Sequence, residues 1–202
     1  MNAVLFYLLN WAKEGEWMNS FVNRLQLLTR FFFAPRRIGS ITPSSRFLVN
    51  ALLESIPWYE VKTIVELGAG TGVVTREIER RKQQDCKTVI FEIDPYLREI
   101  LHKEDPDRII CSNAVQLCAE LEQLKIPMVE CIVSSLPFAN FKERERLVLL
   151  QQIRKTLFPN QLFIAYQYSL QMKPLLQRFF QQVEVRFVPF NLPPAFVYIC
   201  RK

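Results

Sequence analysis

The chain has a single histidine, His102, in 202 residues. That scarcity removes Ser–His and Cys–His nucleophilic catalysis, and a lone His on a charged helix reads as structural. The five cysteines, Cys86, Cys111, Cys118, Cys131 and Cys200, contain no C-x-x-C pair. An odd count without ligand spacing argues against a zinc site and a disulfide framework, and for a reducing compartment. In apolar stretches such thiols read as small hydrophobes. There is no internal repeat and no low-complexity tract. The apolar start of the chain is interrupted by Lys13, Glu14 and Glu16, well short of the roughly twenty residues that span a bilayer. No basic region precedes it, so a secretory signal is not expected. Acidic residues are missing altogether between Trp17 and Leu53.

Half of the residues are hydrophobic, which excludes a disordered chain. The length accommodates one domain with a full core and an N-terminal extension. Lys and Arg number 26 against 20 Asp and Glu, a net charge of +6. That surplus allows an anionic partner, nucleic acid or an acidic membrane surface.

The acid-free stretch carries a pattern. Trp17, Phe21, Leu25, Leu28 and Phe32 form one stripe of a helix over 17–33, with Asn19, Asn23, Gln26 and Arg30 opposite. Arg24, Arg30, Arg36, Arg37 and Arg46 supply positive charge. Aromatic anchors with nearby arginines suit a helix lying in a membrane interface; the alternative is a helix that caps the sheet of its own domain. Pro35 ends this helix. Ser44 or Ser45 can cap the next one, which carries Phe47, Leu48, Ala51 and Leu52 and is stopped by Pro57.

Thr63, Ile64, Val65 and Leu67 surround Glu66 and read as a buried strand, while Val73, Val74 and Ile78 recur at helical spacing. The glycines of Glu66-Leu67-Gly68-Ala69-Gly70-Thr71-Gly72 therefore lie on a strand-to-helix turn. Gly permits positive φ there and lets a ligand approach the backbone. The following helix points its free N–H groups at that ligand. A second strand, Thr88-Val89-Ile90-Phe91, runs into Glu92, twenty residues past Gly72. A carboxylate at that place can accept both hydroxyls of a ribose; the bland alternative is a tight turn with a solvated Glu.

Strand and helix patterns then alternate. Strands are expected at 108–111, 129–133 and 161–166, and helices at 114–124, 142–157 and 172–180. Two last strands, 183–188 and 196–200, leave no room for a helix between them. Alternation implies a parallel sheet and the last pair an antiparallel hairpin. The expected fold is α/β, with a seven-stranded, mostly parallel sheet, a C-terminal antiparallel hairpin and N-terminal amphipathic helices.

The Glu-x-Gly-x-Gly-x-Gly form resembles motif I of class I S-adenosylmethionine-dependent methyltransferases, which have a Rossmann-like fold. The resemblance implies that Glu66, Gly68, Ala69, Gly70, Thr71 and Gly72 wrap the methionine part of S-adenosyl-L-methionine, with Glu66 orienting the loop and the cofactor's amino group. Glu92, with Ile93 beside it, then holds the ribose. Asn113-Ala114 stands where the family usually has Asp-Ala against the adenine amine, and Asn can accept that bond through its carbonyl. Pro159-Asn160 replaces Pro-Gly-Gly, and Asn tolerates left-handed geometry. Ser134-Ser135-Leu136-Pro137-Phe138 resembles the Asn-Leu-Pro-Tyr type loop of enzymes that methylate an amino nitrogen. The resemblance gives Ser135 and the Leu136 carbonyl the bonds to the amine, gives Phe138 the packing on it, and sets Ser134 at the cofactor. Methyl transfer from a sulfonium needs a neutral amine, and an alkylamine has a pKa near 10.4; the site must favour the neutral form and align nitrogen, carbon and sulfur. No metal is required. Phe138, Tyr166 and Tyr168 are the nearest rings for a methylated cation.

A narrower resemblance joins several segments: Phe33-x-Pro35-Arg36-x-Ile38-Gly39-Ser40-x-x-Pro43-Ser44-Ser45, the Ser134–Phe138 loop, Glu143-Arg144-Glu145-Arg146, Tyr168, and Asn191-Leu192-Pro193-Pro194-Ala195-Phe196-Val197-Tyr198. Together these resemble bacterial phospholipid N-methyltransferases, which convert phosphatidylethanolamine toward phosphatidylcholine at the cytoplasmic membrane surface. The resemblance implies a membrane-binding and substrate-covering extension over 1–56 and a methyltransferase domain over 57–202. It also implies an anionic membrane as partner and peripheral attachment to the inner face of the cell membrane. Trp17, Phe21, Arg24 and Leu25 become membrane contacts. Ser40, Thr42, Ser44 and Ser45 can touch cofactor or lipid phosphate, and Arg36 and Arg37 can pair with that phosphate. The runner-up is an rRNA adenine N6-methyltransferase, disfavoured because no helical domain follows the last strands. A cofactor-binding membrane protein without catalysis is the third reading.

Overall fold

A computed structural model describes residues 45–202 of the chain. Helix α1 (Arg46–Leu53) starts where the Ser45 hydroxyl accepts the Leu48 N–H, so the cap is Ser45. Strand β1 (Thr63–Leu67) is buried along its whole length. It leads into α2 (Val73–Arg81), β2 (Lys87–Phe91) and α3 (Pro95–Glu104). Asp94 caps α3, accepting from Tyr96 and Leu97 N–H, and Pro95 opens it; proline suits a first helical turn because it has no N–H to leave unbonded. Then come β3 (Ile109–Cys111), a 3-10 turn (Ala114–Gln116), α4 (Leu117–Gln123) and β4 (Val129–Ser134). The single helix expected over 114–124 is split because the Asn113 carbonyl takes the Val115 N–H and tightens the first turn. Helix α5 (Glu143–Thr156) follows, then β5 (Leu157–Gln167), α6 (Lys173–Phe179), β6 (Gln182–Val188) and β7 (Ala195–Arg201).

The seven strands form one sheet in the order β3-β2-β1-β4-β5-β7-β6. The first five are mutually parallel, and β7 runs antiparallel to both β5 and β6. This is the expected mostly parallel α/β sheet with its terminal hairpin. β5 begins earlier than the apolar pattern foretells, at Leu157, and its pairing with β4 shifts between Val129 and Cys131. Asn160 takes φ +63 there, the left-handed geometry that Asn accepts more readily than most residues.

Each face of the sheet has its own apolar layer. One holds Val65, Phe91, Ile132, Phe163 and Tyr198 beneath α4, α5 and α6. The other holds Ile64, Val133 and Ile164 with Ile78 of α2 and Leu48, Leu52 and Leu53 of α1. Helix α1, which the family resemblance places in the extension, packs its Leu48, Leu52 and Leu53 in this layer of the sheet. All five cysteines are buried and free, and burial pushes the Cys86 thiol up to about 11 and Cys111 to about 12. No helix among the described residues is long and apolar enough to cross a membrane.

Candidate functional site

The carboxyl ends of β1 and β4 are neighbours in the sheet, with Leu67 paired to Ser134. Crevices of open α/β sheets form at such ends. The turn after β1 uses three of the five glycines, Gly68, Gly70 and Gly72, at φ of +80, +57 and +78. A Cβ on Gly68 would lie 2.8 Å from Leu136 Cδ2, and one on Gly72 2.8 Å from Leu101 Cδ2. Both positions therefore need glycine for conformation and for space. The turn's amides are committed inside the protein. Gly68 and Ala69 N–H donate to Phe91 O, Gly72 N–H to Ala69 O, and Gly70 N–H to Glu92 Oε2 at 2.7 Å. These bonds tie the turn to the end of β2. Thr71, partly exposed, is pinned through its carbonyl by Arg76.

Two buried carboxylates flank the turn. Glu66 is fully buried in β1, and its Oε2 accepts the Thr75 hydroxyl at 2.6 Å. Its other oxygen, Oε1, is buried with no hydrogen-bond partner among the described residues. Burial pushes the Glu66 carboxyl up to about 7, opposed by the Thr75 bond and reinforced by the charge of Glu92. Glu92 is only 1 % exposed, so the solvated-Glu alternative is excluded. Its oxygens accept from Gly70 and Asp94 N–H, and burial raises its carboxyl against those bonds. Ile93 and Ala114 are buried beside the same edge, and the Asn113 carbonyl already accepts the Val115 N–H. A carbonyl oxygen keeps a second lone pair for an adenine amine.

The loop after β4 packs against this turn. Ser135 N–H donates to Leu67 O, and the Leu136 side chain covers Gly68. Ser134 is buried, and its hydroxyl accepts the Leu136 N–H. Ser135 is partly exposed. Two expectations are corrected. The Leu136 carbonyl is filled by Gln167 Nε2 at 2.9 Å and Phe138 N–H at 2.9 Å, so both lone pairs are spent before any amine arrives. Phe138 is 1 % exposed and packs on Phe141 and Phe163 at 5.7 and 6.1 Å between ring centroids. It is a core residue because the 3-10 turn at Phe138–Asn140 swings its ring beneath the sheet.

Gln167, which sequence patterns left unremarked, holds the loop. It is buried at the end of β5, donates to Leu136 O and Tyr166 O, and accepts the Ala139 N–H. The next residue, Tyr168, is exposed, with its ring edge-on to Tyr166 at 5.8 Å. Burial of the phenol pushes Tyr168 above the ordinary tyrosine value, against hydrogen bonds with Tyr166 and Asn191. Asn191 also accepts the Ser45 N–H and donates to Pro193 O. The start of α1, the end of β5 and the β6–β7 loop thus meet at one rim. Trp17, Phe21, Arg24, Leu25, Arg36, Arg37, Ser40, Thr42 and Ser44 lie outside the described residues.

No family model matches the chain. The ornithine lipid N-methyltransferase of Singulisphaera acidiphila is 32% identical over 179 residues, covering 86% of this chain and 93% of that enzyme. The chain belongs to the lipid N-methyltransferase family of that enzyme. Solved structures at lower identity show the same fold. N-methyltransferase NodS from Bradyrhizobium japonicum, in complex with S-adenosyl-L-homocysteine, matches with TM-score 0.59 at 9% identity, over 76% of this chain and 83% of that one. A SAM-dependent methyltransferase from Archaeoglobus fulgidus matches with TM-score 0.59 at 14% identity, over 78% and 95%.

The described residues of this family member fit S-adenosyl-L-methionine. An orphaned, buried carboxylate oxygen needs a donor, and the cofactor's α-ammonium would supply one to Glu66 Oε1. Glu92, fixed by two backbone amides at the end of β2, keeps lone pairs for ribose hydroxyls. When bound, the cofactor supplies an electrophilic methyl group on a sulfonium. These residues would orient that group.

Proposed function

We propose that this chain transfers methyl groups from S-adenosyl-L-methionine to the primary amine of a membrane aminolipid. The observation that carries the reading is the loop 134–138, packed by Ser135 N–H and the Leu136 side chain directly on the glycine turn. Ser135 then offers its hydroxyl to an amine N–H. The aromatic role passes from buried Phe138 to Tyr168 and Tyr166, whose rings suit a cation that grows with each methylation. The raised Tyr168 phenol stays neutral at physiological pH, so it serves as a surface rather than a base. Gln167 keeps the loop rigid, which matters because methyl transfer demands an in-line approach.

The phospholipid motifs in the sequence favour phosphatidylethanolamine, carried toward phosphatidylcholine. The relative's own acceptor favours ornithine lipid as a second reading. Both present an alkylamine at the water–lipid boundary. The extension over 1–56 serves in this reading as the membrane-binding and substrate-covering segment, with peripheral attachment to the inner face of the cell membrane. Arg36 and Arg37 are assigned to the lipid phosphate or carboxylate.

The test is transfer of label from S-adenosylmethionine to vesicles of phosphatidylglycerol mixed with either phosphatidylethanolamine or ornithine lipid, and separately to unmethylated ribosomal RNA. Label in a lipid phase is expected, and chromatography of the products identifies the acceptor and counts the methyl groups. Label in RNA alone moves the activity to adenine N6. Label in none of them, with cofactor binding retained, leaves the non-catalytic reading.

A further inference from the structure

Large apolar side chains are exposed at the rim where α1, β5 and the β6–β7 loop meet. Phe190 is 72% exposed, Leu192 66% and Phe47 44%. The Phe47 and Phe190 rings meet at 5.3 Å with a 42° tilt between their planes, although one opens α1 and the other lies in the β6–β7 loop. The Asn191 side chain between Phe190 and Leu192 is buried and bonded to Ser45 N–H and Pro193 O. The loop is thus built to hold its apolar neighbours outward, not merely left loose. Arg46 places its guanidinium over the Phe47 ring at 5.1 Å. The carboxylates of Glu54, which caps the far end of α1, and of Glu184 in β6 are both engaged by Arg186. Positive charge beside exposed apolar side chains characterises surfaces that enter a lipid interface. The acid-free sequence from Trp17 to Leu53 joins the domain at this same rim.

We propose that Phe47, Phe190 and Leu192, with Arg46, form a docking surface that inserts into the interfacial layer of a bilayer. This contact belongs to the folded domain and is separate from the 17–33 segment. Geometry gives it a purpose. The β6–β7 loop lies at the carboxyl end of β5, because β7 runs antiparallel to β5 and Phe196 pairs with Gln167. Insertion at this loop therefore turns Tyr168 and the Ser135 edge toward the head groups, so an amine need not leave the membrane surface to reach them. The inference rests on the proposed function only for the nature of the partner.

The test uses the full chain and reads docking without methyl transfer. An environment-sensitive fluorophore is attached at Leu192→Cys, and in a control at Tyr59→Cys, an 85% exposed site just before β1, at the amino ends of the parallel strands and so opposite the end that carries the β6–β7 loop. Vesicles of phosphatidylcholine and phosphatidylglycerol are then added. A blue shift at 192, quenched by a nitroxide lipid and absent at 59, is expected. The pair Phe190→Glu and Leu192→Glu should weaken vesicle partition about tenfold or more with an unchanged thermal melt, since both side chains are exposed. A silent probe at 192 on vesicle-bound protein overturns the proposal, leaving the N-terminal segment as the sole anchor. A probe already shielded before vesicles are added also overturns it, because residues 1–44 then cover the rim. Absence of vesicle binding does the same. A responding probe without methyl transfer to any lipid sustains the surface and refutes the lipid-methylation reading instead.

Discussion

Replacing Glu66 with Gln should uncouple both stability and cofactor affinity from pH. The carboxyl is fully buried, has one bonded oxygen and one orphaned oxygen, and titrates at about 7 rather than 4.5. The folded protein therefore favours the protonated acid. Its stabilising contribution is complete below pH 4.5 and is lost as pH rises through about 7. The gap between the two values corresponds to roughly 3 kcal/mol, so the cofactor-free protein should lose about that much stability between pH 4.5 and 7.5 through this residue. Cofactor binding should show the opposite trend. An α-ammonium at Oε1 favours the ionised acid, so affinity should rise by up to about tenfold per pH unit below pH 7 and level off above it. Denaturant melts and isothermal titrations at pH 5.5, 6.5 and 7.5 on both proteins provide the measurement. The Gln variant should melt with a flatter pH profile and bind more weakly without the pH trend. Parallel profiles for the two proteins would refute the placement of a buried, titrating carboxylate at the cofactor's amine.

Phe138→Ala should destabilise the fold by about 3–5 kcal/mol, the usual range for emptying a buried aromatic site, while leaving KM for the lipid nearly unchanged at a temperature where the variant is folded. A raised KM with an unchanged melt would return the ring to the acceptor. Gln167→Ala leaves Ala139 N–H without its partner and frees the Leu136 carbonyl, so it should cost about 1–3 kcal/mol and lower kcat more than cofactor affinity; Gln167→Glu, which keeps the acceptor but loses the donors, should not restore kcat. Glu92→Ala removes the partner of Gly70 and Asp94 N–H and should weaken cofactor binding at least tenfold by titration, an unchanged affinity defeating its assignment to the ribose.

The sheet was legible because its evidence repeats. Each strand is a short apolar run, each crossover a helical stripe, and the one missing crossover between β6 and β7 marks the hairpin. The glycine turn was legible for a steric reason, since positive φ at Gly68, Gly70 and Gly72 leaves few other residue types. The direction of its amides was not, because the residues that accept them, Phe91 and Glu92, are brought alongside only by strand pairing. Phe138 shows the same limit. A loop has no period, so nothing local distinguishes a ring turned toward a crevice from one turned toward Phe163.

Gln167 is a different kind of omission, since a signal was present. Phe163, Ala165 and Gln167 alternate along β5 toward one apolar layer, and the first two belong to it. A glutamine in the third place of that series must find buried partners for its amide, and the loop that follows the neighbouring strand is the nearest supply of unpaired backbone groups. The same logic applies to Glu66 within the apolar run of β1. A carboxylate or amide placed against the alternation of a strand is costly to the fold unless something completes it. Here the protein completes Gln167 by itself and leaves one oxygen of Glu66 unsatisfied. That contrast is the ground for proposing that Gln167 positions the site and that Glu66 meets the cofactor.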